Sequence, residues 1–337
     1  MPDIQKSEQN RNEQQDKKPA ASFFNFSIKN IFNKNPGDLI FESITRFFAF
    51  VVFILVFLMA YEMIKASMPS IKQFGLKFIT GTEWDPVTDI YGALPYIYGT
   101  VVSSFLALLV SIPLSLSVAI FLSEFAPKWL ERPVSLLVEM LAAIPSIVYG
   151  LFGIFVMVPF LRTTVEPFLS KKLGFLPFFK GAPYGFGMLA AVIILSVMIL
   201  PIITSISRDV MKSIPDSQRE ASYALGATKW ETIKVVLSGS KSGILGAILL
   251  GFGRAVGETM AVTMVIGNRS DISLSLFNPS NTMASVIANE FTEAISNLYI
   301  SSLIEIALIL FILTVILNAI ARLIVWGVTK KYSGALN

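Results

Sequence analysis

Apolar residues fall in long continuous runs along most of this chain, not in the short periodic stripes of a soluble protein. A helix needs about 20 mainly apolar residues to cross the hydrocarbon core of a bilayer. Because backbone polar groups in lipid must be paired within their own segment, such runs predict helices. The runs lie at about 43–63, 97–123, 134–160, 186–206, 243–266 and 301–325. The predicted fold class is therefore all-α, a polytopic membrane helical bundle of about six transmembrane helices.

The N-terminal segment differs from the rest of the chain in composition. Residues 1–38 are polar and rich in Gln, Asn and Lys, and such a segment cannot bury enough apolar surface to fold alone. The chain as a whole is 54% hydrophobic and 15% charged, against about 25% charged residues in an ordinary soluble domain. We therefore expect a disordered cytoplasmic tail at residues 1–38 and a single transmembrane domain at residues 39–337.

Lysine and arginine predict the orientation of this domain, because the cytoplasmic loops of membrane proteins carry an excess of both. With the N-terminus inside, the inner segments hold 18 of the 27 basic residues and the outer segments hold 8, while Arg254 lies within a span. We therefore expect a multi-pass protein of the cell membrane with both termini in the cytoplasm. One outer loop, residues 161–185, opposes the rule, since it contains Arg162, Lys171, Lys172 and Lys180.

The composition excludes several kinds of chemistry. The chain has no Cys and no His, which removes thiol nucleophiles, the usual zinc ligands and His-based acid–base catalysis. The carboxylates show no clustering with metal-ligand spacing, so we expect no metal or cofactor on this chain. The net charge of +4 is explained by the cytoplasmic loops, so we expect a lipid bilayer and no nucleic acid as partner. A membrane-anchored enzyme or redox subunit is therefore disfavoured.

The longest inner loop, residues 207–242, predicts two short helices that meet at a glycine. Gly226 ends the first helix, and the spacing of Thr228 and Glu231 is that of a capping box, which begins the second. Three apolar residues then share one face of the second helix: Trp230, Ile233 and Leu237. Two interpretations remain open: a hairpin that lies on the lipid surface, or a docking element that inserts into a groove of a soluble partner.

Charged residues inside the predicted spans are the main candidates for function. Arg254 lies about 20 Å along the helix from Lys241, the last cytoplasmic cation before it. Glu258 follows one turn later on the same face. A charge at mid-bilayer costs at least about 2.5–3.5 kcal/mol, so it needs a partner or a water-filled pathway. Glu139, about 10 Å into the third predicted span, is a third such charge and could face Arg254 across the bundle.

Two interpretations of Arg254 and Glu258 follow from their chemistry. They could form a structural pair that neutralises itself within the bundle. Alternatively, they form a permeation site for an oxyanion, because guanidinium is always charged and its planar fork fits phosphate oxygens. The carboxylate could also accept a hydrogen bond from protonated phosphate, which sulfate at neutral pH cannot offer. Gly253 and Gly257, four residues apart, are expected first to let another helix pack closely and second to line the pathway.

The string Glu220-Ala221-Ser222-x-x-x-Gly226-Ala227 in the cytoplasmic loop resembles the EAA loop of ABC-transporter permeases. In that family this short helical element inserts into a cleft of the ATPase subunit. The family usually continues to Ile-x-Leu-Pro, whereas this chain has Val235-Val236-Leu237-Ser238, so the end of the element differs. The resemblance implies an ATPase-coupling role for Glu220, Ala221, Ser222, Gly226, Ala227 and Trp230.

Further strings narrow the resemblance. The fifth span contains Gly253-Arg254-Ala255-Val256-Gly257-Glu258-Thr259, and the third contains Glu139 followed by Pro145-Ser-Ile-Val-Tyr149-Gly150. The second span begins Gly92-x-x-Pro95-x-x-x-Gly99-Thr100, and the last outer loop holds Ser285-Val-Ile-Ala-Asn289-Glu290-Phe291. Over roughly residues 45–330 the chain is similar to the permease subunits of phosphate-specific ABC importers, of the PstC type rather than the PstA type.

This resemblance implies the fold of an ABC type I importer permease with a substrate pathway at Arg254, Glu258, Glu139 and Thr259. It implies a transport subunit, not an enzyme, that imports inorganic phosphate delivered by an extracytoplasmic phosphate-binding protein. The implied partners also include a sibling permease subunit and two ATPase subunits. This chain has no Gly-x-x-x-x-Gly-Lys-Ser/Thr phosphate loop, so ATP and Mg are expected on the partner ATPase.

Two alternative functions stay open from the sequence. One is an ABC permease for another oxyanion, such as molybdate, sulfate or phosphonate. The other is an ion-coupled secondary transporter, which predicts two related halves with interrupted helices at matching positions. The chain shows no convincing internal repeat, and a secondary transporter would leave the EAA-like loop unexplained.

Overall fold

A computed structural model of the chain describes residues 36–333, with side chains at 37–38 and 40–327. The chain forms two compact units, Met1–Met59 and Ala60–Asn337. The described part of the first unit is the beginning of one long helix. All packing discussed below lies within the second unit. The tail predicted at residues 1–38 falls almost wholly outside the described residues.

The described part of the chain is mainly helical. Its helices, in chain order, are α1 (Pro36–Phe74), α2 (Lys77–Thr80), α3 (Leu94–Ile120), α4 (Lys128–Ala143), α5 (Ser146–Phe152), α6 (Val158–Phe160), α7 (Glu166–Leu173), α8 (Met188–Lys212), α9 (Asp216–Ala224), α10 (Lys229–Val256), α11 (Met260–Val265), α12 (Met283–Glu290) and α13 (Asn297–Ser333). Turns of π-helix continue or join these helices at Phe121–Phe125, Gly153–Met157 and Leu161–Val165. A single 3-10 turn is described, at Pro177–Phe179. Two short strands, β1 (Trp84–Asp85) and β2 (Ile90–Tyr91), pair antiparallel.

Six helical segments among the described residues are long and apolar enough to cross a membrane, which confirms the all-α class and the predicted number of spans. They are Ile40–Phe74, Leu94–Phe125, Ser146–Leu173, Met188–Lys212, Lys229–Val256 and Asn297–Gly327. The first, second, fourth and sixth overlap the predicted runs closely. The third and fifth are displaced, and each displacement has a local cause.

The third span begins later than the apolar pattern predicts, because the chain is extended at Ile144 and Pro145. A residue before proline is disfavoured in the α region, and Ile144 has a ψ of 128°. The amphipathic helix α4 ends before this point, and the span is Ser146–Leu173. Arg162 consequently lies within a helix rather than in the outer loop predicted at 161–185.

The fifth span is displaced toward the N-terminus, because the second helix of the cytoplasmic loop and the span are one continuous helix. This helix, α10, covers Lys229–Val256, whereas the predicted run is 243–266. Glycine inside a helix costs only about 1 kcal/mol relative to alanine. Helix α10 therefore continues through the glycines of this segment. The predicted run instead contains an interruption at residues 257–259, followed by the six-residue helix α11.

Helix α8 lies at the centre of the second unit and has the largest buried share of the six spans. Hydroxyl groups join it to α3 across the interface. Ser196 Oγ donates to the carbonyl of Ala107 at 3.2 Å, and Thr204 Oγ1 donates to that of Ser115 at 3.3 Å. Ser115 Oγ in turn donates to the carbonyl of Leu200 at 3.2 Å. Small hydroxyl residues let membrane helices approach closely, so α3 and α8 form the frame on which the other spans pack.

An aromatic cluster ties the β-hairpin to the last span. Glu290 accepts hydrogen bonds at 2.7 Å from the indole Nε1 of Trp84 and from the hydroxyl of Tyr299. Tyr91 stacks on Tyr299 with ring centroids 5.5 Å apart, and Trp84 packs edge-on against Tyr96 of α3. Burial raises the pKa of Tyr91 to about 12, so its hydroxyl stays protonated. The cluster therefore fixes the beginning of α3 against α12 and α13.

We expect Trp84→Phe to lower the stability of the purified protein by about 1–2 kcal/mol, because it removes a donor to the Glu290 carboxylate. Thermal unfolding in detergent should show a lower Tm than that of the wild type. Trp129→Phe is the matched control, since Trp129 is 76% exposed on α4. An unchanged Tm for Trp84→Phe would contradict the role given to the aromatic cluster.

Candidate functional site

The fifth membrane helix is interrupted beside its charged residues. Helix α10 ends at Val256, Gly257 has φ of −90° and ψ of 1°, and α11 begins at Met260. The backbone N–H of Glu258 bonds the carbonyl of Ala255 at 3.4 Å, a spacing of three residues rather than four. Non-helical backbone at membrane depth is tolerated only where protein buries it or where it lines a cavity. The interruption therefore marks a place where a cavity is expected.

Arg254 and Glu258 form a loose pair at this interruption. The distance from Nη2 of Arg254 to Oε2 of Glu258 is 3.9 Å, which is too long for a hydrogen bond. The Glu258 side chain is 7% exposed, and its Oε1 accepts a hydrogen bond from the backbone N–H of Ala261 at 3.4 Å. The Arg254 side chain is 41% exposed and donates no hydrogen bond to any described residue. Its N–H groups are therefore available to an anion.

Both charged side chains line one cavity of about 560 Å³. Its walls come from three spans and are mainly apolar, with Ile202 from α8, Leu250 from α10 and Leu317 from α13 among them. An apolar wall keeps the local dielectric low, which strengthens the attraction between the guanidinium and any anion that enters. The arrangement can therefore hold a small oxyanion at membrane depth.

Two polar residues of the last span, which were not predicted as site residues, also line this cavity. They are Thr314 and Asn318, one helical turn apart. Thr314 Oγ1 donates to the carbonyl of Phe311 at 2.7 Å, and Asn318 Nδ2 donates to the carbonyl of Thr314 at 2.8 Å. Their signal in the sequence is a pair of polar residues four positions apart within an otherwise apolar span.

Gly253 and Gly257 line the cavity, and no described helix of this chain packs closely against them. A Cβ at Gly253 would meet no described atom within 4 Å, and one at Gly257 would meet only the carbonyl oxygen of Gly253, 3.6 Å away. The expectation that these glycines first serve packing is therefore wrong for this chain. The close approach occurs two residues earlier, where a Cβ on Gly251 would come within 2.9 Å of Ile203.

Thr259 ends the interruption and is not among the residues that line the cavity. Its carbonyl accepts hydrogen bonds from the backbone N–H of Thr263 at 3.0 Å and from the hydroxyl of Thr263 at 2.7 Å. Its own hydroxyl donates to the carbonyl of Gly257 at 3.4 Å. Thr259 therefore begins α11, while its place in a substrate pathway stays a prediction.

Glu139 lies away from this cavity, and the structure corrects its predicted position. It belongs to α4, which precedes the third span. Its Oε1 accepts a hydrogen bond from Nη2 of Arg208 at 3.0 Å, rather than facing Arg254. Asp209 accepts from the same guanidinium at 2.7 Å. Since the Arg208 side chain is only 9% exposed, the two carboxylates neutralise a nearly buried charge at the C-terminal end of α8.

The cytoplasmic loop folds as predicted, with two helices that meet at Gly226. This residue has a φ of +82°, in the left-handed region that glycine adopts without strain. Its N–H donates to the carbonyl of Tyr223 at 2.9 Å, and the N–H of Ala227 donates to the carbonyl of Ser222 at 3.1 Å. This pair of bonds is the Schellman motif, which satisfies the last carbonyls of α9 and turns the chain sharply. We call α9, this turn and the first two turns of α10 the coupling hairpin.

Helix α10 begins with the predicted capping box. The N–H of Thr228 donates to Oε2 of Glu231 at 2.7 Å, and the N–H of Glu231 donates to Oγ1 of Thr228 at 3.4 Å. These bonds satisfy two free donors of the first turn. From here α10 continues without a break to Val256. The coupling hairpin and the charged cavity are therefore joined by a single helix.

The tip of the coupling hairpin presents an exposed apolar surface. Leu225 is 89% exposed, and Trp230 and Tyr223 are 58% and 49% exposed. Among the predicted coupling residues, those at least partly exposed are Glu220, Ala221, Gly226, Ala227 and Trp230. Ser222 of α9 is buried. Ile233 of α10 is buried too, so the predicted apolar face of the second helix packs inward except at Trp230. Exposed apolar patches with a polar rim are typical of interaction sites.

An ion pair that no sequence pattern indicated fastens α9 to the second span. Arg219 donates to both carboxylate oxygens of Glu124, from Nη2 at 2.9 Å and from Nε at 3.3 Å. The same guanidinium donates to the carbonyls of Ile214 at 2.7 Å and Met211 at 3.0 Å. The hydrogen bond with Glu124 raises the pKa of Arg219 above its usual value. The two residues are 95 positions apart, which hides the pair from local sequence analysis.

The six spans and the exposed coupling hairpin define the class of protein. A family model described as "Binding-protein-dependent transport system inner membrane component" matches residues 111–330. This stretch contains both the coupling hairpin and the charged cavity. The class is therefore that of the inner membrane components of such transport systems, and the chain is an integral, multi-pass membrane protein.

Two relatives narrow this class. The "Phosphate transport system permease protein PstC" of Pasteurella multocida (strain Pm70) is 46% identical over 307 residues, which cover 90% of this chain and 96% of that protein. The protein with the same name from Mesorhizobium japonicum is 47% identical over 290 residues, which cover 85% of this chain and 89% of the relative. The chain therefore belongs to the PstC family of phosphate transport system permease proteins. This confirms the resemblance inferred from the motifs.

Solved structures agree with the fold. A chain from the crystal structure of a bacterial ABC transporter involved in the import of the acidic polysaccharide alginate aligns with a TM-score of 0.53 and 16% identity. The alignment covers 84% of this chain and 98% of that chain. A chain of the bacterial alginate ABC transporter in complex with an alginate pentasaccharide-bound periplasmic protein gives 0.51, with 14% identity over 84% of this chain and 97% of that one. At this level of identity the likeness supports the fold alone.

We expect Gly226→Ala to destabilise the coupling hairpin by about 1–2 kcal/mol, because a left-handed backbone costs that much once a Cβ is present. Hydrogen exchange of the α9 amides should be faster than in the wild type. Gly246→Ala is the matched control, since Gly246 lies within α10 and its Cβ would meet no described atom within 4 Å. Equal exchange of α9 in both variants would contradict the Schellman assignment.

Proposed function

We propose that this chain is the membrane permease subunit of an ATP-driven importer of inorganic phosphate. The observation that carries the mechanism is the continuity of α10. This helix begins in the coupling hairpin and ends at Val256, two residues before Glu258, and it is about 40 Å long. A rigid helix of that length transmits a displacement of the hairpin to the charged cavity. The PstC relatives support phosphate as the substrate.

The cavity supplies the chemistry that phosphate recognition needs. Arg254 offers N–H donors that no described residue uses, and its charge is permanent. Glu258 is almost fully buried and lies within 4 Å of that guanidinium. At neutral pH phosphate still carries a proton, and Glu258 accepts a hydrogen bond from that hydroxyl. Sulfate has no such proton and would place an unprotonated oxygen against the carboxylate, so it is disfavoured.

The resemblance to ABC importers implies the other parts of the assembly. The coupling hairpin docks its exposed Leu225 and Trp230 into a cleft of a partner ATPase, which binds ATP and Mg. A separate phosphate-binding protein delivers the anion on the opposite side of the membrane. A sibling permease subunit and two ATPase subunits complete the complex. The hairpin then lies in the cytoplasm, and both termini lie on that side.

Transport proceeds by alternating access around the cavity. Closure of the ATPase subunits on ATP moves the coupling hairpin, and two connections carry this motion into the membrane. One is α10, which ends at the interruption beside Arg254. The other is the Arg219–Glu124 pair, which moves the end of the second span together with α9. The phosphate then passes from an outward-open to an inward-open cavity without leaving the guanidinium unpaired in lipid.

We expect Arg254→Gln to lower ATP-driven phosphate uptake by about a hundredfold, which is the order of loss when a single oxyanion donor is removed. The test uses proteoliposomes that hold the complete complex and its binding protein. Co-purification of all subunits with the variant must show that assembly persists. The matched control is Arg132→Gln, because Arg132 is exposed on α4 and outside the cavity.

Normal uptake by Arg254→Gln would remove this residue from the substrate pathway. An excess of sulfate should leave wild-type uptake unchanged. The assembled wild-type complex could hydrolyse ATP but transport no phosphate. In that case the permease assignment stays, and molybdate, sulfate and phosphonate become the candidate substrates.

We expect Arg219→Gln to uncouple ATP hydrolysis from transport, because it breaks the connection between α9 and the second span. Phosphate imported per ATP hydrolysed should fall by about tenfold, the usual size of a coupling free energy between sites. A double-mutant cycle with Glu124→Gln provides the control. If the pair transmits the motion, the double variant should be no worse than either single variant. Additive losses would show that the two residues act separately.

A further inference from the structure

A second cavity, of about 520 Å³, lies beyond the charged one along the chain. It is lined by Arg162 of the third span, by Tyr184 and Phe186 of the following loop, by Met264 of α11 and by Asn268 after that helix. Helix α11 has six residues and is about 9 Å long. It begins two residues after Glu258, and its last turn reaches this second cavity. The two cavities are therefore one short helix apart. We call the second cavity the outer pocket.

Arg162 is the charged group of the outer pocket and needs an explanation. It lies within an apolar membrane-spanning helix, where an ionisable residue is costly and usually functional. Its side chain is exposed and forms no ion pair with any described residue. The carboxylate one turn away, Glu166, is fully buried, and its Oε2 accepts a hydrogen bond from the N–H of Gly185 at 2.9 Å. Glu166 thus holds the wall of the pocket, and the Arg162 guanidinium keeps its N–H groups free of hydrogen bonds to any described residue.

The walls of the outer pocket are fixed by backbone geometry. Gly185 has a φ of +76°, and a Cβ there would lie 2.5 Å from the carbonyl oxygen of Val158. Asn268 has a φ of 52°, and its side chain is used in the fold. Its Nδ2 donates to the carbonyl of Thr263 at 2.9 Å, and its Oδ1 accepts from Ser285 Oγ at 2.8 Å. The pocket is therefore preformed, with Arg162 as its only charged lining residue among those described.

Basic residues that follow Arg162 in the sequence also favour an anion at this side of the protein. The segment after Arg162 carries Lys171, Lys172 and Lys180 on the face opposite the coupling hairpin, where basic residues are normally scarce. These lysines do not help to orient the protein in the membrane, because cytoplasmic loops normally carry the basic residues. A positive outer surface attracts anions and raises their local concentration.

We propose that the outer pocket is a first binding site for the transported oxyanion, which Arg162 holds before the anion moves along α11 to Arg254. This rests on the proposed function, because the oxyanion and the outer side are those of a phosphate importer. The guanidinium donates to the phosphate oxygens, and Tyr184, which is 49% exposed, lines the same pocket. The rival interpretation is that Arg162 contacts an acidic surface of the docked binding protein.

Uptake kinetics of the complete complex in proteoliposomes separate these two interpretations. The concentration of phosphate-loaded binding protein is varied, and the maximal rate and the half-saturating concentration are measured. We expect Arg162→Gln to lower the maximal rate about fivefold to tenfold and to leave the half-saturating concentration unchanged. Arg162→Lys should retain most of the rate, because it keeps the charge. Arg132→Gln is the control, since Arg132 is exposed on α4 and lies outside the pocket.

A labelling experiment reports on the pocket even if transport fails. The chain has no cysteine, so Tyr184→Cys places a single thiol at the rim, and the unsubstituted complex gives the background. A negatively charged methanethiosulfonate reagent should react about tenfold faster, relative to a positively charged one, than it does with an exposed reference thiol. Adding Arg162→Gln should abolish this preference, and saturating inorganic phosphate should slow labelling only while Arg162 is present.

The outcomes are distinct. A raised half-saturating concentration with an unchanged maximal rate would make Arg162 a docking contact and overturn the proposal. Unchanged kinetics in Arg162→Gln, or labelling without a charge preference, would also overturn it. If the wild-type complex imports no phosphate, the proposed function fails by itself. The labelling experiment then still decides whether the outer pocket binds an oxyanion.

Discussion

A guanidinium inside a membrane-spanning helix must be met by water, by a counter-charge or by a bound anion, and the fold around Arg254 follows from this requirement. The helix that carries it stops two residues later, and Glu258 at the interruption comes no nearer than 3.9 Å. The guanidinium also needs access to water or an anion, and a cavity with walls from three spans provides it. The glycines of the motif leave that cavity open instead of packing against a neighbour. The guanidinium is thus accessible to an anion, as the proposed function requires.

The same helix makes this site responsive to the cytoplasmic side. Because α10 runs unbroken from the capping box to the interruption, the hairpin cannot tilt without moving the cavity wall. The Schellman turn joins α9 to α10, and the Arg219–Glu124 pair holds α9 against the membrane domain. The hydroxyl-linked pair α3 and α8 is the frame on which these elements pack. The two sites to which we assign coupling and substrate binding therefore lie at the two ends of one helix.

Features that depend on local sequence could be predicted, and features that depend on tertiary contacts could not. The spans, the glycine corner and the capping box follow from apolar runs and cap chemistry. Arg254 and Glu258 could be found because charges in apolar runs are costly. The partner of Glu139 could not, since Arg208 lies on another helix 69 positions away. Thr314 and Asn318 could not be predicted either, because only the packing of the last span places them at the cavity. The start of the third span was misjudged because the apolar run hides the break at Pro145.

The central claim is that the transported anion binds the guanidinium at the helix interruption. A structure of the assembled complex, trapped with phosphate inside the membrane domain, tests it most directly. The account predicts that phosphate oxygens lie about 2.7–2.9 Å from the nitrogens of Arg254, within the cavity bounded by α8, α10 and α13. Phosphate bound elsewhere in the membrane domain, with Arg254 paired only to Glu258, would contradict it.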